Sequence, residues 1–152
     1  MANKEQTIKY LQAIVTGLSQ QALGHDIQSK IFDSKGFKKL AEKYAEHAVE
    51  ERGYVDQCID RILDLGGEVK NEAKPEAKVC TNPIDWIKYD LQVSIDGLKF
   101  LEEVLEATRG DYTTYDILKD YYKDEEEDMY WAEQQLELIE CIGTQNWIIN
   151  QI

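Results

Sequence analysis

Apolar positions recur at alternating spacings of three and four along four long segments, the pattern of helices that each bury one face. In segment A, about residues 5–34, the row runs Ile8, Leu11, Val15, Leu18, Ala22, His25, Ser29, Phe32. Segment B, about 37–65, gives Leu40, Tyr44, His47, Glu51, Tyr54, Cys58, Ile62, Leu65. Segment C, about 83–108, gives Ile87, Leu91, Ser94, Leu98, Leu101, Leu105, and segment D, about 112–142, gives Leu118, Tyr121, Glu125, Asp128, Ala132, Gln135, Ile139, Ile142. Gly36, Gly110 and Gly143 separate the segments, and the two prolines, Pro75 and Pro83, both fall between Gly66 and Trp86. Asn82 is placed to cap segment C, with Pro83 at the first helical position, where its missing N–H costs nothing. The tail Thr144–Ile152 reads as a short fifth helix with Thr144 as its N-cap. Short A–B and C–D turns make antiparallel pairs, and residues 66–82 are long enough to cross the length of a bundle. The predicted fold is all-α, a four-helix bundle with one long B–C crossover and a short C-terminal helix.

Composition narrows the function classes. With 152 residues, 43% hydrophobic and 31% charged, the chain is expected to form one domain over residues 1–152. Lys+Arg number 17 and Asp+Glu 30, a net charge of −13, which argues against nucleic-acid binding. No apolar run reaches the roughly 20 residues of a membrane span, and the start MANKEQTIKYL has no secretory core, so a cytoplasmic protein is expected. Cys58, Cys80 and Cys141 are odd in number and widely spaced, neither a disulfide framework nor a zinc site. Only His25 and His47 supply imidazoles, which excludes a His-rich catalytic metal site.

The four rows are apolar at their ends and polar at mid-height. His25, His47, Glu51, Tyr54, Ser94, Glu125 and Asp128 are expected to converge on one level of the core. Carboxylates are not buried unpaired, so three of them there require a cation, shared protons, Arg52, His47 or water. Glu125 and Asp128, three residues apart, can face one ligand. Gly17, Gly24, Gly53 and Gly97 each weaken a helix by about 1 kcal/mol relative to Ala. Close helix approach is the expected reason, with room for a ligand as the other.

The C-terminal run Asp124-Glu125-Glu126-Glu127-Asp128-Met129-Tyr130-Trp131, followed by Gln135-Leu136-Glu137-Leu138-Ile139 and Gly143 to Ile152, resembles the DEEGHIDWLE…LDLI…G-x-QNY-x₃-QI ending of the bacterioferritins. Ile8-Lys9-Tyr10-Leu11, Asp56 to Gly67 (DQCIDRILDLGG), Asp90-Leu91 and Asp96-Gly97 extend the resemblance over the whole chain, with about two residues fewer near the C–D turn.

The resemblance implies a ferritin-like bundle and a di-iron ferroxidase centre made of one Glu on each of helices A and C and an ExxH on each of B and D. Carried over, the match is partial. Glu51 and Glu125 stand at two Glu positions, but the paired histidines fall on Tyr54 and Asp128. The helix A and C glutamates fall on Leu18 and Ser94. The haem-ligating Met falls on Arg52, so no haem is expected, and a helix A Tyr beside the centre falls on His25. The remaining oxygen-rich set of Glu51, Glu125, Asp128, Tyr54 and His25 suits one hard divalent cation, a proton-sharing cluster or a rebuilt oxidoreductase site. Two further positions that face the cage interior and bind iron in the family fall on Glu46 and Glu50.

The function implied is a cage subunit for iron storage, most simply a homo-oligomer of 24 chains with 12 as the second possibility. Such a subunit would be non-catalytic, of the ferritin light type, and would nucleate mineral at Glu46 and Glu50 or rely on a catalytic partner subunit. The alternative of a different class is a structural or partner-binding oligomer of the same fold without iron function. A DNA-protecting dodecamer fits less well, because the chain has no basic tail.

Overall fold

The computed structural model describes residues 2–152 and consists of five helices. They are α1 (Lys4–Ser34), α2 (Lys38–Asp64), α3 (Pro83–Thr108), α4 (Tyr112–Ile142) and α5 (Thr144–Ile149). All-α architecture and the four long helices follow the apolar rows, with ends within a residue or two of the expected positions. Asn82 caps α3 as expected, its side chain accepting from the Ile84 and Asp85 amides, with Pro83 in the first turn. One cap differs from expectation. Thr144 is the first residue of α5, and Gly143 precedes it at φ +85°, a conformation that lets α4 end and the chain turn without strain.

The apolar ends of the rows form two separate clusters. One gathers Leu11, Val15, Leu18, Cys58, Ile62, Leu101, Val104, Leu118 and Tyr121. The other gathers Phe32, Leu40, Tyr44, Trp86, Ile87, Ala132 and Trp147. Trp147 of α5 is fully buried there and donates its indole N–H to Gln135 Oε1 at 2.9 Å, docking the tail helix on α4. Between the clusters lies a belt of buried polar side chains from all four long helices.

The crossover, residues 65–82, is fastened along α1 by side chains one turn apart. Gln12 donates to the Lys70 carbonyl at 3.0 Å and accepts from its amide at 2.8 Å. Thr16 donates to Glu72 at 2.9 Å and Gln20 to the Pro75 carbonyl at 2.7 Å. Gln28, wholly buried, bonds both backbone groups of Cys80 at 2.8 and 2.9 Å. Within this stripe Gln12, Gln20 and Gln28 satisfy backbone groups that an irregular segment would otherwise leave open, and Thr16 holds the Glu72 side chain. The rung between Gln20 and Gln28 is Gly24, which has no side chain to offer.

The helical glycines are not sites of close packing. A Cβ built on Gly24, Gly53 or Gly97 meets nothing within 4 Å, and one on Gly17 meets only the Lys74 amine at 3.6 Å. The expectation of close helix approach is therefore corrected: these positions border open space.

Candidate metal and proton centre

His25 organises the belt. Its Nδ1 lies 2.5 Å from Glu51 Oε1 on α2, and its Nε2 lies 3.0 Å from both oxygens of Asp90 on α3. The ring is 3% exposed, stacked on Tyr44 at 5.5 Å and edge-on to Trp86 at 6.1 Å and His47 at 5.4 Å. Burial opposes its charge, but Asp90 and then Glu51 outweigh that penalty and hold the imidazolium well above its ordinary pKa. An imidazole can donate from both nitrogens only when protonated, and here both face carboxylates. The second Glu51 oxygen accepts from Gln21 Nε2 at 2.6 Å. Desolvation raises the Glu51 pKa, with the His25 hydrogen bond acting against the rise.

Glu125 is 2% exposed and its Oε2 has no hydrogen-bond partner. Burial first, then repulsion from Glu51, push it up to about 7. Asp128, on the same face and 14% exposed, rises to about 9 through burial and the neighbouring Asp124. His47 Nε2 stands 3.4 Å from Asp128 Oδ1, but burial and the charged His25 press His47 down to about 3. The contact therefore joins a neutral imidazole to a neutral acid and is not an ion pair.

The structure thus brings His25, His47, Glu51, Ser94, Glu125 and Asp128 to one level, as the rows predicted. Tyr54 does not join them. It is half-buried, its hydroxyl donates to the Asp120 carbonyl at 3.4 Å, and its ring packs on Tyr121 at 5.2 Å. Burial and the surrounding carboxylates raise its pKa to about 12, which keeps the phenol neutral beside them. Arg52 also stays out of the belt, half-exposed and paired with Asp26 on α1. The belt's cation is His25, and Arg52, one of the neutralising groups the sequence offered, pairs with Asp26 instead. Leu18 is 2% exposed within the first apolar cluster.

Glu46 and Glu50 are exposed on α2. Glu50 meets Asp124 and Asp128 of α4, with one oxygen of each within 4.8 Å of the others. Burial, then Glu50, raises Asp124 to about 7. Such an oxygen-only cluster suits a hard cation. Glu46 is not part of it. Asp90, which the helical row passed over in favour of Leu91, and Gln21, which belonged to no row, are the two members of the belt that sequence reasoning missed.

Among the described residues no helix is long and apolar enough to cross a membrane, and Cys58, Cys80 and Cys141 are free thiols. Burial pushes the Cys58 thiol up to about 12, so it is an inert packing group.

A family model of the ferritin-like domain matches residues 8–142. The chain is 32% identical to the bacterial ferritin of Neisseria meningitidis, with 100% of both chains covered. It is 31% identical to that of Pseudomonas aeruginosa, again over 100% of both. With the bacterioferritin of Rhodobacter capsulatus it shares 27% identity over 91% of this chain and 85% of the relative. A four-helix bundle with a long crossover, a polar belt at mid-height and end-to-end similarity to bacterial ferritins lead to one assignment: the chain belongs to the ferritin-like family, among its bacterioferritin-type members.

Proposed function

We propose that residues 1–152 act as one unit, a cytoplasmic iron-storage subunit of a bacterioferritin-like cage that has no di-iron ferroxidase centre. The observation that carries this reading is the state of Glu51. Two iron ions about 3.5–4 Å apart need bridging carboxylates with free oxygens. Both Glu51 oxygens are engaged, by His25 and Gln21. Leu18 and Ser94 offer no carboxylate where two more would be required, and the side chains present do not suit a pair of metal ions.

Iron as cargo has another place to go. Glu50 with Asp124 and Asp128, and Glu46 one turn away, give α2 and α4 an acidic face suited to hydrated or hydrolysing iron. A charge of −13 per subunit draws cations toward an assembled shell. Leu23 (56% exposed), Ile27 (39%) and Val49 (69%) are large apolar groups left open on α1 and α2, as expected where copies of the chain meet. The shell is read as a homo-oligomer of 24, with 12 as the smaller option. Oxidation of iron is slow and spontaneous, or is supplied by a catalytic partner subunit. Arg52, tied to Asp26, offers no sulfur to a haem.

Light scattering at physiological salt tests the assembly: a particle of about 24 subunits is expected, and a monomer or dimer contradicts the cage. Iron-core formation tests the acidic face. Glu46→Ala/Glu50→Ala should slow it several-fold, and an unchanged rate would leave a structural oligomer without iron function as the better reading.

A further inference from the structure

Two buried imidazoles and a carboxylate from three helices meet within the belt. One donor atom from each of His25 (α1), His47 (α2) and Asp90 (α3) lies within 4.8 Å of the other two. His47 is 3% exposed, and neither of its ring nitrogens has a hydrogen-bond partner. A buried polar group left unmatched is uncommon and needs a reason. A neutral imidazole carries one nitrogen lone pair, and beside another imidazole and a carboxylate a metal ion is a partner that can accept it.

We propose that His25, His47 and Asp90 form a binding site for one first-row divalent transition metal ion of the zinc, cobalt or iron(II) class. Two imidazoles with one carboxylate favour such borderline ions over magnesium or calcium, which take oxygen ligands. The spacing is suitable. Donors at right angles around an ion about 2.1 Å away stand about 3.0 Å apart, and His25 Nε2 lies 3.0 Å from each Asp90 oxygen. Glu51 holds His25 from behind through Nδ1 and is itself held by Gln21. A carboxylate in that position fixes the tautomer and leaves Nε2 to the metal. Binding displaces the Nε2 proton, which leaves to solvent. A cavity of about 230 Å³ reaches both His25 and Asp90. Gly24, the rung missing from the ladder that fastens the crossover, is part of its lining, and a side chain there would meet nothing within 4 Å. The cavity gives the ion a way in and room for a water as a further ligand. The site shares no metal ligand with the Glu50–Asp124–Asp128 face, and it stands whether or not the chain stores iron.

Titration of the assembled protein with Co²⁺, in excess Mg²⁺ to occupy surface carboxylates, tests the proposal. One Co²⁺ per subunit should bind and show the visible absorption of imidazole-ligated cobalt. His47→Gln and Asp90→Asn should each weaken it at least 100-fold while helical circular dichroism is retained. Glu51→Gln, which only positions His25, should weaken it about 10–100-fold. Should a variant fail to fold, zinc-edge X-ray absorption of the wild-type protein loaded with one Zn²⁺ per subunit decides, with scattering from two imidazoles expected. Absence of Co²⁺ absorption, binding unaffected by both ligand variants, or an all-oxygen zinc shell overturns the site.

Discussion

His25 and Glu51 are joined at 2.5 Å across the α1–α2 interface, and that contact decides the character of the protein's centre. Glu51 stands where the bacterioferritin resemblance implies a metal-ligating Glu, yet its charge is met by an imidazolium from the neighbouring helix. Asp90 closes the same ring from α3 at 3.0 Å. Three helices are thus linked through one buried cation supplied by the chain itself.

Replacing that cation exposes its structural worth. In His25→Leu two carboxylates lose their shared partner, and breaking a buried pair from one side costs about 3–5 kcal/mol. A matching drop in denaturant stability is expected. A loss below about 1 kcal/mol would mean that Glu51 and Asp90 are neutral or solvated without His25.

Glu125 predicts a pH dependence of stability. Burial and Glu51 raise it to about 7, from 4.5. A carboxyl raised in the folded state contributes stability that is fully present below pH 4.5 and is lost as pH rises through about 7. Glu125→Gln cannot ionise and should escape this loss. Thermal scans at pH 8 should show the variant more stable by on the order of 5 °C, with the gap closing toward pH 4. A gap independent of pH would contradict the assignment.

The start of α4 depends on charge as well. Asp111 accepts from the Thr114 amide at 3.2 Å, the Thr114 hydroxyl at 2.6 Å and Arg61 at 2.8 Å. Desolvation is the largest single influence and works to raise its pKa, but the Thr114 hydrogen bonds and then Arg61 together outweigh it and hold the pKa below 3.8. A depressed carboxylate stabilises the fold above its unfolded pKa, and that contribution is lost as pH falls below 3.8 through the folded value. Asp111→Ala should cost about 1 kcal/mol at pH 7 and progressively less below pH 4. Urea unfolding at the two pH values measures it.

Gly53 lies inside α2 with open space where a Cβ would sit. Gly53→Ala should therefore stabilise the chain by about 0.5–1 kcal/mol through helix propensity and unfolded-state entropy. Destabilisation would reveal a neighbour in the assembly pressed against this position.

The bundle and its polar belt were legible because burial leaves a periodic trace. Leu11, Val15 and Leu18, at four- and three-residue steps, mark one inner face, and His25, Glu51 and Glu125 interrupt the rows at one height. Asp90 was illegible for the same reason. From Ile87 the inner row can step to Asp90 or Leu91 before Ser94, and hydropathy selects the leucine, although both residues are partly buried in the fold. The Gln12–Thr16–Gln20–Gln28 stripe looks like a solvated face until the crossover is laid on it. Tyr54 shows the reverse error. Its spacing from Glu51 suits a ligand, but its ring lies on Tyr121 and its hydroxyl reaches the backbone of Asp120.

The central claim is that this subunit has no di-iron oxidation centre. Aerobic Fe²⁺ oxidation at about two irons per subunit, followed optically beside a protein-free control, tests it most directly. A rate no faster than the control is expected, with no phase that saturates as iron is added. A fast phase saturating near two irons per subunit, and abolished by Glu51→Gln or Glu125→Gln, would contradict it.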